Sequence, residues 1–324
     1  MYRKEKPVVI KGSASSLPNN LSILATPEKG SLNYAVVHKS TVNLVTATTD
    51  GTTVTGRQVV CKEPTATQGS PFITQVKWII LPVRTVLILT SQRGIQMFEP
   101  DGSVMIYWHA LSDTMESSNF GRGISGVGDN LICVGTESGL ILVFNMPPKG
   151  TNITYQEALK GHTCAICDLA SDKDMMVSGD ERGSIFVWKA MGQQLQQTVK
   201  IAGGGSPCSS IALWRGIIVG GYGSGHLRVY SAASGKISAE VTAHARWINA
   251  IDIARENGML LSVSDDASYR VWKLTEGTMP QIQYRHSDIV TDVQLVGGQF
   301  VDGQGRALCL TGYDCSEIVF FVQC

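Results

Sequence analysis

The chain has 324 residues, room for two or three ordinary domains or for one large repetitive one. Lys plus Arg and Asp plus Glu both total 27 and only 17% of residues are charged, a balance that argues against attachment to nucleic acid or a membrane surface by bulk electrostatics. A hydrophobic fraction of 43% excludes wholesale disorder, and 34 glycines point to many short elements joined by tight turns.

From the start of the chain, Arg3, Lys4 and Lys6 precede only Val8, Val9 and Ile10 as an apolar run, against the roughly 7 to 15 residues of a secretory signal. Pro7–Lys11 reads as an isolated strand-like segment. Four strands follow at Leu21–Ala25, Leu32–Val37, Thr41–Ala47 and Thr53–Val60. The longest apolar stretch, Trp78–Leu89, is broken by Pro82 and Arg84 and falls far short of the roughly 20 residues that span a bilayer. A soluble, cytoplasmic chain is therefore expected, in which Asn20-Leu21-Ser22 and Asn152-Ile153-Thr154 are chance sequons and the eight scattered cysteines are free thiols.

Six segments then repeat one pattern, a turn followed by an alternating apolar strand ending in an aromatic: Gly94–Phe98, Gly139–Phe144, Gly183–Trp188, Gly225–Tyr230, Ala267–Trp272 and Ser316–Phe321. The intervals between the terminal aromatics are 46, 44, 42, 42 and 49 residues. Within one unit, Ile166–Ala170, Met175–Ser178, Ser184–Lys189 and Leu195–Ile201 read as four strands separated by turn clusters. Four antiparallel strands per roughly 40 residues is the pattern of a propeller blade. The fold expected is all-β, a single seven-bladed β-propeller with blades near 20–62, 72–109, 120–158, 162–201, 208–242, 244–284 and 286–324. The last unit lacks a fourth strand, so the N-terminal segment 7–11 is expected to complete it and remove an open edge.

The sixth unit opens on Ala243-His244, places Ser262 ten residues before Trp272, and carries Asp266 in the turn between them. In these residues and in the period the chain resembles the WD-repeat family. The resemblance implies a hydrogen-bonded relay from Trp272 through Ser262 and His244 to Asp266. Gly161-His162, Ser178 and Trp188 repeat most of it, with Arg182 where Asp is expected, so that relay should be incomplete. Phe98, Phe144, Tyr230 and Phe321 replace Trp elsewhere, and only His286 with Thr311 echoes the relay in the seventh unit.

Chemistry-bearing motifs favour structural readings. His244, Ser262 and Asp266 are the residue types of a hydrolase triad, but a serine held by an indole inside a sheet is not aimed at substrate, and no nucleophile elbow is present. Cys164 and Cys167 beside His162 lack the spacing and second pair of a zinc site. Gly121-Arg122-Gly123-Ile124-Ser125-Gly126 is read as a turn because no helix follows it, and Ser234-Gly235-Lys236 lacks the upstream glycine of a phosphate loop. Neither a metal nor a cofactor is expected, and the chain reads as a non-enzyme.

What remains is surface recognition. By the resemblance, loops before first strands (Arg246, Trp247, Asp288) and turns before third strands (Asp180, Glu181, Tyr222, Asp265, Tyr313, Asp314) share one face. Arg and Trp side by side suit a contact surface, unless Trp247 simply packs under its own loop. The expectation is a scaffold or adaptor for other proteins or peptide segments, not nucleic acid, in cytoplasmic signalling or vesicle and receptor trafficking, with any membrane association peripheral and through partners. The alternative is an enzyme or small-ligand or nucleotide binder that uses the central channel.

Overall fold

The computed structural model describes residues 1–48, 53–61, 70–111, 120–277 and 279–324. Among them are 29 strands, one 3-10 turn at Pro27–Lys29 and no α-helix. The strands form seven antiparallel sheets, each a blade. Blades 1 to 6 span 22–60, 73–110, 121–159, 166–201, 208–242 and 248–289, and blade 7 joins 295–323 to strands from residues 2–9. The expected end of the first unit at 62 lies outside the described residues.

Burial explains why inner strands read as unbroken apolar runs and outer ones do not. The second strand of blade 3, Leu131–Thr136, is buried at every residue, as is that of blade 5, Ile217–Tyr222, because a neighbouring blade covers each face. Fourth strands such as Val54–Val60 and Gln281–Ile289 are exposed along most of their length. The core is accordingly a set of clusters between blades: Ile88, Ile95 and Met97 of blade 2 pack on Ile132, Val134, Leu142 and Phe144 of blade 3.

Two expectations need correction here. Gly121–Val127 is a strand, the first of blade 3, and not a turn; its glycines permit close approach, since a Cβ at Gly126 would lie 2.6 Å from the Ile79 side chain. His286 lies inside the fourth strand of blade 6, which runs Gln281–Ile289, so blade 6 extends past 284 and blade 7 begins at Leu295.

The ring closes through both termini. Tyr2–Lys4 pairs with Phe321–Gln323, Val8–Val9 pairs with Glu317–Ile318, and the Cys324 N–H donates to the Met1 carbonyl at 2.9 Å. The segment expected at 7–11 thus supplies only Val8–Val9, and Pro7, lacking an N–H, sits in the gap between the two short strands. Tyr2 drives its ring into the core between blades 6 and 7 and donates its hydroxyl to the Gly305 carbonyl.

Three turns before third strands require glycine. Gly139, Gly183 and Gly225 have φ of +85°, +81° and +81°, and each donates its N–H to the carbonyl three residues earlier. A Cβ at Gly225 would also stand 2.1 Å from the His244 carbonyl oxygen. Blade 6 places Ala267 at this position with φ +65°. Gly94 does not share the conformation; it opens a third strand under the Trp108 ring, 2.2 Å from where its Cβ would be.

Two outcomes follow. Deleting residues 1–12 should lower the melting temperature sharply, and Tyr2→Ala alone should cost about 3 kcal/mol in chemical denaturation; an unchanged melt on deletion would refute terminal closure. Ala267→Gly relieves a left-handed L residue, worth roughly 1–2 kcal/mol, against glycine's entropic cost of roughly 0.5–1, so denaturation should show a gain of about 0.5–1 kcal/mol.

Candidate functional site

Antiparallel pairing puts the loop before a first strand and the turn between second and third strands at the same end of every blade. Blade 6 shows what that end is built on. Trp272 Nε1 donates to Ser262 Oγ at 3.0 Å, Ser262 Oγ lies 2.8 Å from His244 Nε2, and His244 Nδ1 lies 3.1 Å from Asp266 Oδ2. The indole can only donate, so the Ser262 hydroxyl donates its own O–H to Nε2, and the neutral imidazole donates Nδ1–H to the carboxylate. Asp266 also accepts from the Ala245 N–H at 2.9 Å and from Ser268, tying the loop to the turn.

Blade 4 carries a complete relay, contrary to expectation. Trp188 Nε1 donates to Ser178 Oγ at 2.9 Å, Ser178 Oγ lies 2.7 Å from His162 Nε2, and His162 Nδ1 lies 2.7 Å from Asp180 Oδ2. Arg182 does occupy the place of Asp266, but Asp180, two residues earlier, reaches the imidazole and caps the turn by accepting from the N–H groups of Arg182 and Ser184. Asp180 is therefore 3% exposed and leaves the set of contact residues.

No relay joins His286 and Thr311. His286 faces Tyr269 and Tyr2 on the blade 6 side, whereas Thr311 donates to the Asn20 carbonyl. The strand registers explain the difference. The position of Ser178 and Ser262 is taken by Leu89, Val134, Gly220 and Leu310 in blades 2, 3, 5 and 7, none of which offers a hydroxyl.

Tyr222 is also removed from the face. It is fully buried, its hydroxyl lies 2.9 Å from that of Tyr230, and the Arg228 guanidinium stacks 4.6 Å from its ring centre. Asp288 is exposed but lies on the fourth strand of blade 6 opposite Tyr269, not in a loop before a first strand.

The remaining candidates do occupy loops and turns at this end. Arg246 and Glu181 are exposed, and Arg182 stands beside Glu181 as an exposed cation that the relay reading had set aside. Trp247 is half-buried: its ring lies over Gly223, where a Cβ would come within 2.6 Å, and its buried Nε1 has no hydrogen-bond partner among the described residues. Asp265 accepts from Asn249 Nδ2 at 2.6 Å. Tyr313 is 49% exposed, and Asp314 accepts from Ser13 Oγ at 2.9 Å, which brings the N-terminal segment to the same face.

Buried groups here are held, not poised for chemistry. Ser178 and Ser262 have no exposure. Burial pushes the Cys167 thiol up to about 12, and among the described residues no group of three or more His, Cys, Asp or Glu is placed to hold a metal. Burial lowers His244 below the usual imidazole value, against the opposing bond from Asp266. Burial would raise the Asp266 and Asp180 carboxyls, but the hydrogen bonds from His244 and His162 and from turn N–H groups outweigh it and hold both low.

The WDR54 family model matches residues 1–324. The chain belongs to the WDR54 family. WD repeat domain 54 of Rattus norvegicus is 42% identical over 334 residues, covering 99% of both chains. WD repeat-containing protein 54 of Mus musculus and of Homo sapiens are each 41% identical, covering 99% and 98% of both chains respectively. Among solved structures, a chain of the mitotic checkpoint complex superposes with a TM-score of 0.75 at 16% identity, covering 98% of this chain and 91% of that one. The WD40 repeats of RRP9 superpose at 0.73 with 14% identity, covering 99% of each. The two structures share the propeller fold with this chain, and the family is one of WD-repeat propellers, which serve generally as non-enzymatic scaffolds for protein interaction. Among the described residues, no helix is long and apolar enough to cross a membrane.

Ser262→Ala should cost about 1–3 kcal/mol in chemical denaturation through the partners it strands. The pH dependence has a definite sign. The unfolded imidazole gains its proton near about pH 6.5 and the unfolded aspartate near about 3.9, while His244, Asp266 and Asp180 in the fold all resist protonation. Melting temperature should therefore hold above about pH 7 and fall below about 6.5, more steeply below about 4, with His244→Gln flattening the upper part of the decline.

Proposed function

We propose that the protein is an adaptor that docks other proteins or peptide segments on the face carrying Arg246 and Trp247, in cytoplasmic signalling or vesicle and receptor trafficking. The observation that carries the reading is Trp247, a half-buried ring on a glycine shelf with the exposed Arg246 beside it. An aromatic and an arginine on a rigid base are the residue types that concentrate binding energy, because they bury large area at small entropic cost. Glu181, Arg182, Tyr313 and Asp314 extend the surface with both signs of charge, which suits a partner of mixed charge better than a polyanion. The overall balance of 27 cations to 27 anions points the same way.

Proximity labelling in cells with the unmodified chain and with Arg246→Ala/Trp247→Ala tests it. The double variant should keep its melting temperature within a few degrees and lose a defined subset of cytoplasmic neighbours. An identical neighbour set would place the contact surface elsewhere.

A further inference from the structure

The channel along the propeller axis holds charges that neither the relays nor the partner face uses. In blades 2 to 7 the first strand is bulged near its start. Counting from the bulge, the registers bring Lys77, Ser125, Ala170, Ala212, Asp252 and Gln299 to the same level of six successive blades, and all six line a cavity of about 490 Å³. This ring contains one cation, Lys77 on blade 2, and one anion, Asp252 on blade 6. Lys77 is drawn first to Asp168 and then to Asp252, and Asp252 first to Arg255 and then to Lys77, yet the Lys77 side chain makes no ion pair and no hydrogen bond among the described residues. One Asp252 oxygen accepts from the Phe300 N–H at 2.8 Å.

One end of the channel is crossed by the chain. Asn19 leads into blade 1, but its N–H donates to the Asn249 carbonyl at 2.9 Å and its Oδ1 accepts from Ser210 Oγ at 2.9 Å, on blades 6 and 5. A residue entering blade 1 can reach blade 5 only by lying across the channel mouth. Below it, Asp168 is already satisfied by Ser210 Oγ and the N–H groups of Leu169 and Ile211. The opening is at the other end, where Pro82, Gly128 and Lys173 line the cavity.

Separated charges inside a protein are costly unless something joins them. Here the small side chains of Ser125, Ala170 and Ala212 leave space beside the two, and a guest with one group of each sign would complete both. We propose that this channel binds a small zwitterion of the α-amino acid class, its carboxylate on Lys77 and its ammonium on Asp252, entering from the end opposite Arg246 and Trp247. Arg255 also lines the cavity, but its guanidinium is held by Asp172 and the Ser171 carbonyl, so a simple anion on Lys77 would leave Asp252 without a group of its own and a simple cation on Asp252 would leave Lys77 unpaired. The site and the partner face lie at opposite ends, so either can fail alone.

Calorimetric titration and thermal melts of the full chain with each standard α-amino acid test the proposal. At least one should bind with a single site and raise the melting temperature, and its N-acetyl and carboxamide derivatives should each bind about tenfold more weakly or worse. Lys77→Met should show the same loss while Arg246→Ala binds normally. No binding at millimolar concentration would overturn the proposal, as would equal binding of the blocked derivatives or undiminished binding by Lys77→Met. The derivative series uses the unmodified chain and so decides the matter even where a variant folds poorly.

Discussion

A blade of this protein has apolar side chains on both faces of its inner strands, so no blade is stable without a neighbour on each side. Leu131–Thr136 is buried throughout only because blades 2 and 4 flank it. The same demand at the seam forces the ring to close, and closure is what recruits Tyr2–Lys4 and Val8–Val9 from one terminus onto Glu317–Gln323 from the other. Everything else sits on a scaffold made rigid by this requirement: the channel, the turns and the face they form.

The two relays have a narrower purpose than holding blades together, since blades 2, 3, 5 and 7 do without them. Each ties a loop before a first strand to a turn before a third strand. In blade 6 the tie runs through Ala245 and Asp266, directly beside Arg246 and Trp247; in blade 4 it runs through His162 and Asp180, directly beside Glu181 and Arg182. The buried polar chains thus pre-order the backbone that presents the exposed candidates, which lowers the entropy lost when a partner is bound. The acid sensitivity of His244 and Asp266 is then a sensitivity of the presenting loop itself.

Much of the fold was legible because period-two alternation, turn glycines and terminal aromatics recur at near-constant spacing. The strands expected at Thr41–Ala47 and Leu195–Ile201 differ from Thr41–Thr48 and Gln194–Ile201 by one residue at an end. The site was less legible. Asp180 and Tyr222 look like turn residues in sequence, and they are, but each turns its side chain inward to a partner elsewhere in its own repeat, His162 in one case and Tyr230 with Arg228 in the other. In sequence Asp288 reads as preceding a first strand because His286 resembles the opening of a new repeat, whereas the fourth strand of blade 6 runs on to Ile289. Tyr2–Lys4 was missed because three mostly polar residues carry no periodic signal; their strand exists only as the partner of Glu317–Gln323.

By itself the sequence determined the all-β class, the number of blades and the two blades that hold Ser, His and Trp in relay spacing, because these depend on local periodicity and on residues within one repeat. Tertiary structure alone decided which terminal segments seal the ring, which turn residues are buried, and that Lys77 and Asp252, 175 residues apart, share one level of the channel. The closure of the ring and the shared channel level arise from packing between blades, where one residue's surroundings are set by the register of another repeat; the buried turn residues find their partners across the strands and loops of their own repeat.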